Sequence, residues 1–315
     1  MTGTAVQYLK LLELKGRGFV VLGAGQGIGA AAAHALAQAG ATVLCVDSDE
    51  GRALEIAREV GGQACRADVL QRTDMERLFR EARARLGAVS GIVDIVGIAR
   101  IKPLAAFDDA AWGEQFDQVL RHAFLTLQIG AAALREADGG TITFVGSMAG
   151  LRAVREQVAY GTAKAALHHL VRSAASELAR DRIRVNAVAP GFIRTPRLEQ
   201  ILAADQWQLI EQAIPLGRAA QPHEIAAPLL FLASELSSHI TGQVLAVDGG
   251  LANEAALPVL AFAKPRPATS KFDKREREAA TRFCLKLIAL LEPSRSAPAP
   301  AKPGKGARRP TRARP

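Results

Sequence analysis

The chain has 315 residues, of which 49% are hydrophobic and 23% are charged. This is enough apolar material for one large domain or two modest ones, and it excludes an intrinsically disordered protein. No run of about 18 apolar residues and no secretory leader pattern occurs, so we expect a soluble, cytoplasmic protein. The three cysteines, Cys45, Cys65 and Cys284, are too scattered for a disulfide framework or a metal-binding pair, and we predict no metal site.

The formal net charge of +9 is concentrated near the carboxyl terminus. Residues 251–315 hold 15 Lys and Arg against 5 Asp and Glu, whereas residues 1–250 are close to neutral. The basicity therefore belongs to an appendage. It does not indicate that the body of the protein binds nucleic acid or membranes.

From residue 18 to residue 247, short β-branched or apolar runs alternate with longer Ala- and Leu-rich amphipathic stretches. The predicted strands are residues 19–22, 42–46, 63–65, 91–96, 141–145, 184–187 and 244–247. The predicted helices are residues 28–38, 50–60, 74–85, 111–136, 158–180 and 222–234. This alternation is typical of repeated βαβ units, and strands that are apolar along their whole length are buried on both faces. We therefore predict an α/β fold with a doubly wound, mostly parallel seven-stranded sheet.

A glycine-rich turn joins the first predicted strand to the first predicted helix. Its candidate phosphate-binding residues are Gly23, Gln26, Gly27, Ile28 and Gly29. Glycines let the turn adopt positive φ and let backbone N–H groups approach a pyrophosphate at the positive end of the helix dipole. Asp47 ends the second strand 18 residues after the last glycine, where a ribose-binding carboxylate is expected. The pattern predicts a dinucleotide site.

Asp47 also bears on which dinucleotide binds. A carboxylate accepts hydrogen bonds from ribose hydroxyls and repels a 2′-phosphate. The glycine-rich turn itself has no Arg or Lys that could pair with such a phosphate. We therefore predict NAD as the cofactor.

Tyr160 and Lys164 lie four residues apart on the predicted helix 158–180. Side chains at this spacing share one face of a helix, so the ammonium can lower the pKa of the phenol. Ser147 precedes the tyrosine by 13 residues and follows a predicted strand.

Taken together, these motifs resemble the short-chain dehydrogenase/reductase family over about residues 15–251. The matching motifs are GAGQGIG at 23–29, Asp47, Ser147, YGTAK at 160–164, Pro190-Gly191 and TGQVLAVDGG at 241–250. The resemblance implies a Rossmann fold in which Tyr160 is the acid–base catalyst, Ser147 orients the substrate oxygen, and Lys164 assists the phenol and binds ribose. Further cofactor contacts that it implies are Asp68, Val69, Gly97, Pro190, Gly191, Ile193 and Thr195.

Two positions depart from the family pattern. Asp94-Ile95-Val96-Gly97 stands where the family usually has Asn-Asn-Ala-Gly, and Asp94 is a candidate replacement for the first Asn. Val119 stands where the catalytic Asn is expected, so proton exit follows another route or is slow. His122, one turn further on, is a candidate substitute for that Asn. An exposed or helix-packing histidine is the alternative that we favour.

The resemblance places the substrate pocket among residues 98–103, the segment between Ser147 and Tyr160, and a lid at about 192–214. The apolar lid residues are Leu198, Ile201, Leu202, Trp207 and Leu209. They suit a hydrophobic alcohol or ketone, such as a hydroxysteroid, an acyl thioester or a cyclic diol. The same residues could instead form helix core.

The composition changes after residue 251. We predict a catalytic domain at 1–251, then a linker and amphipathic helix within 252–292, then a disordered basic tail at 293–315. The tail could hold nucleic acid or an anionic membrane surface. A solvated tail with no specific partner is the alternative that we favour.

The sequence leaves two hypotheses of different classes. The first is an active NAD-dependent dehydrogenase that interconverts a secondary alcohol and a ketone, and the retained Ser147, Tyr160 and Lys164 favour it. The second is a catalytically weak NAD-binding sensor or scaffold, suggested by Val119. The resemblance also implies a homodimer or homotetramer assembled through the two long helices at 111–136 and 158–180.

Overall fold

The computed structural model describes residues 6–253. The predicted amphipathic helix and basic tail lie outside the described residues. Within 6–253, no helix is both long enough and apolar enough to cross a membrane.

Seven parallel strands form one sheet in the order β3-β2-β1-β4-β5-β6-β7. The strands are β1 (Gly18–Leu22), β2 (Thr42–Asp47), β3 (Gln63–Arg66), β4 (Gly91–Asp94), β5 (Gly140–Val145), β6 (Ile183–Pro190) and β7 (Val244–Val247). The strand order reverses between β1 and β4, which creates a crevice at the carboxyl ends of these strands. The predicted doubly wound sheet is confirmed, and each strand pairing among the described residues is parallel.

Helices cover both faces of this sheet. They are α1 (Gly27–Gln38), α2 (Glu50–Glu59), α3 (Arg72–Leu86), α4 (Asp109–Phe116), α5 (His122–Leu125), α6 (Ala131–Glu136), α7 (Val158–Leu178), α8 (Pro196–Ile201), α9 (Ala204–Ala213) and α10 (Pro222–Ala233). Along β1, Val20 and Leu22 pack with α3, α5, α6 and α7, whereas Phe19 and Val21 pack with α1, α2 and α10. Because alternate side chains of a strand face opposite sides, burial on both faces explains the uninterrupted apolar strands.

Three elements differ from the prediction in ways that affect the site. Strand β4 ends at Asp94, two residues early, because the Asp94 carboxylate accepts the N–H of Val96 at 3.1 Å and turns the chain. The predicted helix 111–136 is broken by π-helical segments at Asp117–Arg121 and Thr126–Gly130. The predicted lid contains two short helices, α8 and α9.

Candidate active site

A cavity of about 450 Å³ occupies the crevice at the carboxyl ends of β1, β2 and β4. Nine of the residues predicted to bind a cofactor line it: Gly23, Gln26, Gly27, Ile28, Asp47, Asp68, Val69, Gly97 and Thr195. Seven other predicted site residues lie outside its lining: Gly29, Ser147, Tyr160, Lys164, Pro190, Gly191 and Ile193. The fold therefore gathers most of the predicted cofactor-binding residues around one cavity. The predicted catalytic residues lie outside its lining.

The glycine-rich turn forms the cavity wall beneath α1. Gly23 and Gly27 have φ values of 81° and 58°, which favour glycine. A Cβ on Gly29 would overlap the carbonyl oxygen of Gly23, so the close packing of α1 against the turn requires glycine at this position. No side chain caps the start of α1, and its first two residues, Gly27 and Ile28, line the cavity.

Asp47 is held at the end of β2 by two backbone donors. Its Oδ2 accepts the N–H of Gly25 at 2.9 Å, and its Oδ1 accepts the N–H of Asp49 at 3.0 Å. A Cβ on Gly25 would lie 2.6 Å from Oδ2, so only glycine permits this approach. The carboxylate is thereby fixed in orientation along the cavity wall.

Arg52 on α2 lines the same cavity and was missed by the sequence analysis, which considered only the glycine-rich turn. Its Nε lies 3.5 Å from the Asp49 carboxylate. A Cβ on Gly25 would meet both the Arg52 Cβ, at 2.7 Å, and the Asp47 carboxylate, so the two side chains flank one point of the wall. A cation thus stands beside the predicted ribose-binding acid. The only sequence feature that points to Arg52 is its position in the first turn of the helix that follows β2.

The Ser147 hydroxyl lies near enough to the Tyr160 phenol for its hydrogen-bonding to lower the pKa of Tyr160. Ser147 also accepts the N–H of Ala149 at 3.1 Å through its Oγ, at the start of a 3₁₀ turn formed by Met148–Gly150. Burial raises the pKa of Tyr160, and the Ser147 hydrogen bond opposes that rise. The sequence predicts that Lys164 lowers this pKa. The structure shows burial as the dominant influence.

Lys164 is buried on the same face of α7, one turn after Tyr160. Its Nζ donates to the Val145 carbonyl oxygen at 2.7 Å and lies 5.8 Å from the centroid of the Tyr160 ring. Burial lowers the pKa of Lys164 to about 8, and the charge of Asp94 acts in the opposite direction. A Cβ on Gly97, which lines the cavity, would lie 3.0 Å from Nζ. The backbone of Gly97 therefore lies between the cavity and the Lys164 ammonium.

Asp94 and His122 form a buried pair beside this lysine. Nδ1 of His122 lies 2.8 Å from Oδ2 of Asp94, and the Thr126 hydroxyl donates to the same oxygen at 3.0 Å. Val119 is fully buried in the apolar cluster that packs on α7. Of the two alternatives predicted for His122, exposed or packed within the helical layer, the exposed one is wrong, because the imidazole is buried against the Asp94 carboxylate.

The segment after β6 approaches the cavity at Thr195. Gly191 donates its N–H to the Val247 carbonyl oxygen, and Ile193 is buried against the core formed by α1 and α10. Thr195 then caps α8, and its Cγ2 would lie 3.3 Å from a Cβ on Gly27. Pro190, Gly191 and Ile193 thus position Thr195 rather than line the cavity themselves.

The lid has its own small core. Trp207 is buried with Ile214 and Ala219, and Leu198 and Leu202 pack against them. The guanidinium of Arg194 lies 4.4 Å from the Trp207 ring centroid. Ile201 and Leu209 are exposed. Of the five apolar residues predicted in the lid, three therefore serve as helix core.

The cavity fits a nicotinamide dinucleotide. Gly23 and Gly27 line it with positive φ, and the start of α1, which no side chain caps, suits a pyrophosphate. A carboxylate at the end of β2 suits a ribose diol. The buried Oε1 of Gln118, on the cavity wall, has no hydrogen-bond partner among the described residues, so the wall offers a further polar group.

Residues 23–252 match the model of a protein family described as Enoyl-(Acyl carrier protein) reductase. The 3-oxoacyl-[acyl-carrier-protein] reductase FabG of Thermotoga maritima is 33% identical over 245 residues, covering 76% of this chain and 99% of that protein. Cis-4-hydroxycyclohexanecarboxylate dehydrogenase of Sinomonas cyclohexanicum is 39% identical over 239 residues, covering 73% of this chain and 94% of that protein.

A solved structure shares the same architecture. It is a 7α-hydroxysteroid dehydrogenase complexed with NADH and 7-oxo glycochenodeoxycholic acid. The two chains are 33% identical with a TM-score of 0.74, and the match covers 78% of this chain and 98% of the other.

Proposed function

Because the chain belongs to the short-chain dehydrogenase/reductase family, we propose that it interconverts a secondary alcohol and a ketone with NAD as cofactor. The placement of the Ser147 hydroxyl beside the Tyr160 phenol, with Lys164 buried one helical turn away, carries this proposal. A bound nicotinamide would donate or accept the hydride, and the side chains supply the remaining requirements: an acid–base group and an oxyanion donor.

In this proposal Tyr160 transfers the proton at the substrate oxygen. Its raised pKa keeps the phenol protonated at neutral pH, so it acts as the acid when a ketone is reduced. Ser147 donates a second hydrogen bond to the same substrate oxygen, and Lys164 places a positive charge next to both. Oxidation of the alcohol requires the phenolate and is expected to speed up as pH rises.

The choice of NAD rests on Asp47. Its fixed carboxylate suits the ribose diol and disfavours a 2′-phosphate. Arg52 beside it is the observation that supports NADP instead. We favour NAD because two backbone N–H groups hold the carboxylate on the cavity wall, whereas Arg52 is exposed and paired with Asp49.

The substrate is proposed to be hydrophobic. The N–H of Lys102 donates to the Glu156 carbonyl oxygen at 2.9 Å, which joins the segment after β4 to the segment after Ser147. These segments expose Ile98, Ile101 and Leu151. Such a rim suits an apolar ring or chain, in keeping with the cyclic alcohol and steroid named for two relatives.

The test is turnover with NAD and, separately, NADP across a panel of cyclic, steroid and acyl secondary alcohols and their ketones. Tyr160→Phe should abolish turnover while leaving NADH binding in place. Tyr8→Phe, which changes the exposed tyrosine of the chain, is the matched control and should behave as the wild type. NADH binding without turnover on any panel member would instead support the sensor or scaffold hypothesis.

We also propose that the protein is a homo-oligomer. Trp112 and Phe124 lie on the outer side of the helical stretch from Asp109 to Glu136, and both are more than one-third exposed. Large aromatic side chains left at a surface favour a protein interface. A monomer in sedimentation at micromolar concentration would contradict this proposal.

A further inference from the structure

We propose that His168 is a positioning residue that holds the Ser147 hydroxyl against Tyr160. This inference deepens the proposed function and rests on it. His168 lies on α7 one turn beyond Lys164, so Tyr160, Lys164 and His168 follow one another on a single helical face. The side chain is buried.

The His168 imidazole contacts the backbone N–H of Ser147. The N–H of Ser147 donates to Nε2 of His168 at 3.4 Å. The Oγ of Ser147 is meanwhile fixed by the Ala149 N–H and by Tyr160. His168 therefore sets where the backbone of Ser147 sits, and the other two groups set which way its hydroxyl points.

Two glycines show how closely the ring is fitted to this turn. A Cβ on Gly146 would overlap Nε2 of His168, and a Cβ on Gly150 would lie 2.7 Å from its Cε1. The ring thus sits in the concave side of the chain between residues 146 and 150. Gly161 lies where α7 packs against the same turn. A Cβ at this position would lie 2.8 Å from the Ala149 carbonyl oxygen, so the two backbones are in close contact.

The protonation state agrees with an acceptor role. Burial, reinforced by the charges of Lys164 and Arg172, lowers the pKa of His168 to about 4. The imidazole is therefore neutral at neutral pH. Because Nε2 accepts the Ser147 N–H, the ring proton is assigned to Nδ1, which is buried and has no hydrogen-bond partner among the described residues.

The test uses the fact that the chain has only two tyrosines, Tyr8 and Tyr160. In a Tyr8→Phe background grown with fluorotyrosine, a single ¹⁹F resonance reports the ionisation of Tyr160 without any substrate. Four variants are made in this background: Ser147→Ala, His168→Met, His168→Gln and, as the matched control at the exposed neighbour, His169→Met. Circular dichroism checks that each is folded.

Ser147→Ala should raise the Tyr160 midpoint by about one pH unit, the effect of losing one hydrogen bond to the phenolate. His168→Met should raise it in the same direction, and combining it with Ser147→Ala should add nothing further. His168→Gln, whose Oε1 can replace Nε2 as acceptor, should restore most of the shift. His169→Met should leave the midpoint where it was.

Two results would overturn parts of this inference separately. If Ser147→Ala shifts the midpoint and His168→Met does not, or if His168→Gln shifts it as far as His168→Met, the role of His168 is wrong and the proposed function stands. If Ser147→Ala itself has no effect, the placement of the Ser147 hydroxyl that carries the proposed function is wrong. Should His168→Met fail to fold, His168→Asn replaces it, because its shorter side chain falls short of the Nε2 position.

Discussion

Nδ1 of His122 lies 2.8 Å from Oδ2 of Asp94, and both side chains are almost fully buried. The pair joins the end of β4 to the first residue of α5, 28 positions later in the chain. Two further donors, the Thr126 hydroxyl and the Val96 N–H, complete the surroundings of the carboxylate. A buried carboxylate with three donors is tolerable, whereas one that has lost a donor is costly.

The first prediction concerns this pair. His122→Leu should lower the free energy of unfolding by about 3 kcal/mol, because it leaves the Asp94 carboxylate buried with one donor fewer. The matched control is His34→Leu, which breaks an exposed pair with Glu59 at 2.9 Å and should cost less than about 1 kcal/mol. Urea unfolding of the two variants makes the comparison. Equal losses would show that the buried pair is no more important than the surface one.

The second prediction follows from the burial of Lys164. Its pKa is about 8 in the folded chain and 10.5 in the unfolded chain. Between these values the unfolded chain binds the additional proton, so the burial penalty is full below about pH 8 and is relieved as pH rises. From about pH 8 to about pH 10, the wild type should gain up to about 1.4 kcal/mol per unit relative to Lys164→Met.

Guanidinium unfolding across that range measures the gain. Lys15→Met, at an exposed lysine, should run parallel to the wild type. A constant difference between the wild type and Lys164→Met at every pH would contradict the burial of a charged amine at this position.

The third prediction concerns acid. The pKa of His168 falls from 6.5 to about 4 on folding, so the folded chain resists protonation that the unfolded chain accepts. This contribution to stability is intact above pH 6.5 and is lost as pH falls towards 4. His168→Gln should therefore show a flatter loss of stability in this range than His169→Gln, by up to about 1.4 kcal/mol per unit. Identical acid profiles would show that His168 is not held neutral.

Local sequence motifs predict much of this architecture and part of the site. The glycine-rich turn and the spacing of Tyr160 and Lys164 each depend on neighbours within a few residues, and Asp47 ends the next strand of the same βαβ unit, so the sequence predicts them. The uninterrupted apolar strands likewise predict a sheet that is covered on both faces.

The contacts that decide the chemistry lie further apart in the chain. His168 meets Ser147 across 21 positions. The helical spacing places His168 on the same face as Tyr160 and Lys164, but it does not reveal this contact. The burial of His122 depends on Asp94 at the end of another element. Arg52 is close to Asp47 in the chain, yet its place on the cavity wall depends on where α2 begins. Such pairings are set by tertiary packing, and a single sequence does not reveal them.

The last prediction uses Arg52 and Asp47 to test cofactor choice. Asp47→Asn removes the charge and keeps one oxygen for the Gly25 N–H, so the glycine-rich turn should survive, whereas the Asp49 N–H loses its acceptor. NADH affinity should fall, because an amide accepts only one of the two ribose hydrogen bonds. NADPH affinity should rise by about tenfold, because the Asp47 carboxylate then no longer repels a 2′-phosphate that Arg52 can contact.

Adding Arg52→Gln to Asp47→Asn should cancel that rise, whereas Arg58→Gln, on the same helix and outside the cavity, should not. Both affinities are measured by nucleotide fluorescence on binding. If the wild type already binds NADPH more tightly than NADH, and Arg52→Gln alone reverses the order, then the exposed guanidinium outweighs Asp47. In that case the proposed preference for NAD is wrong.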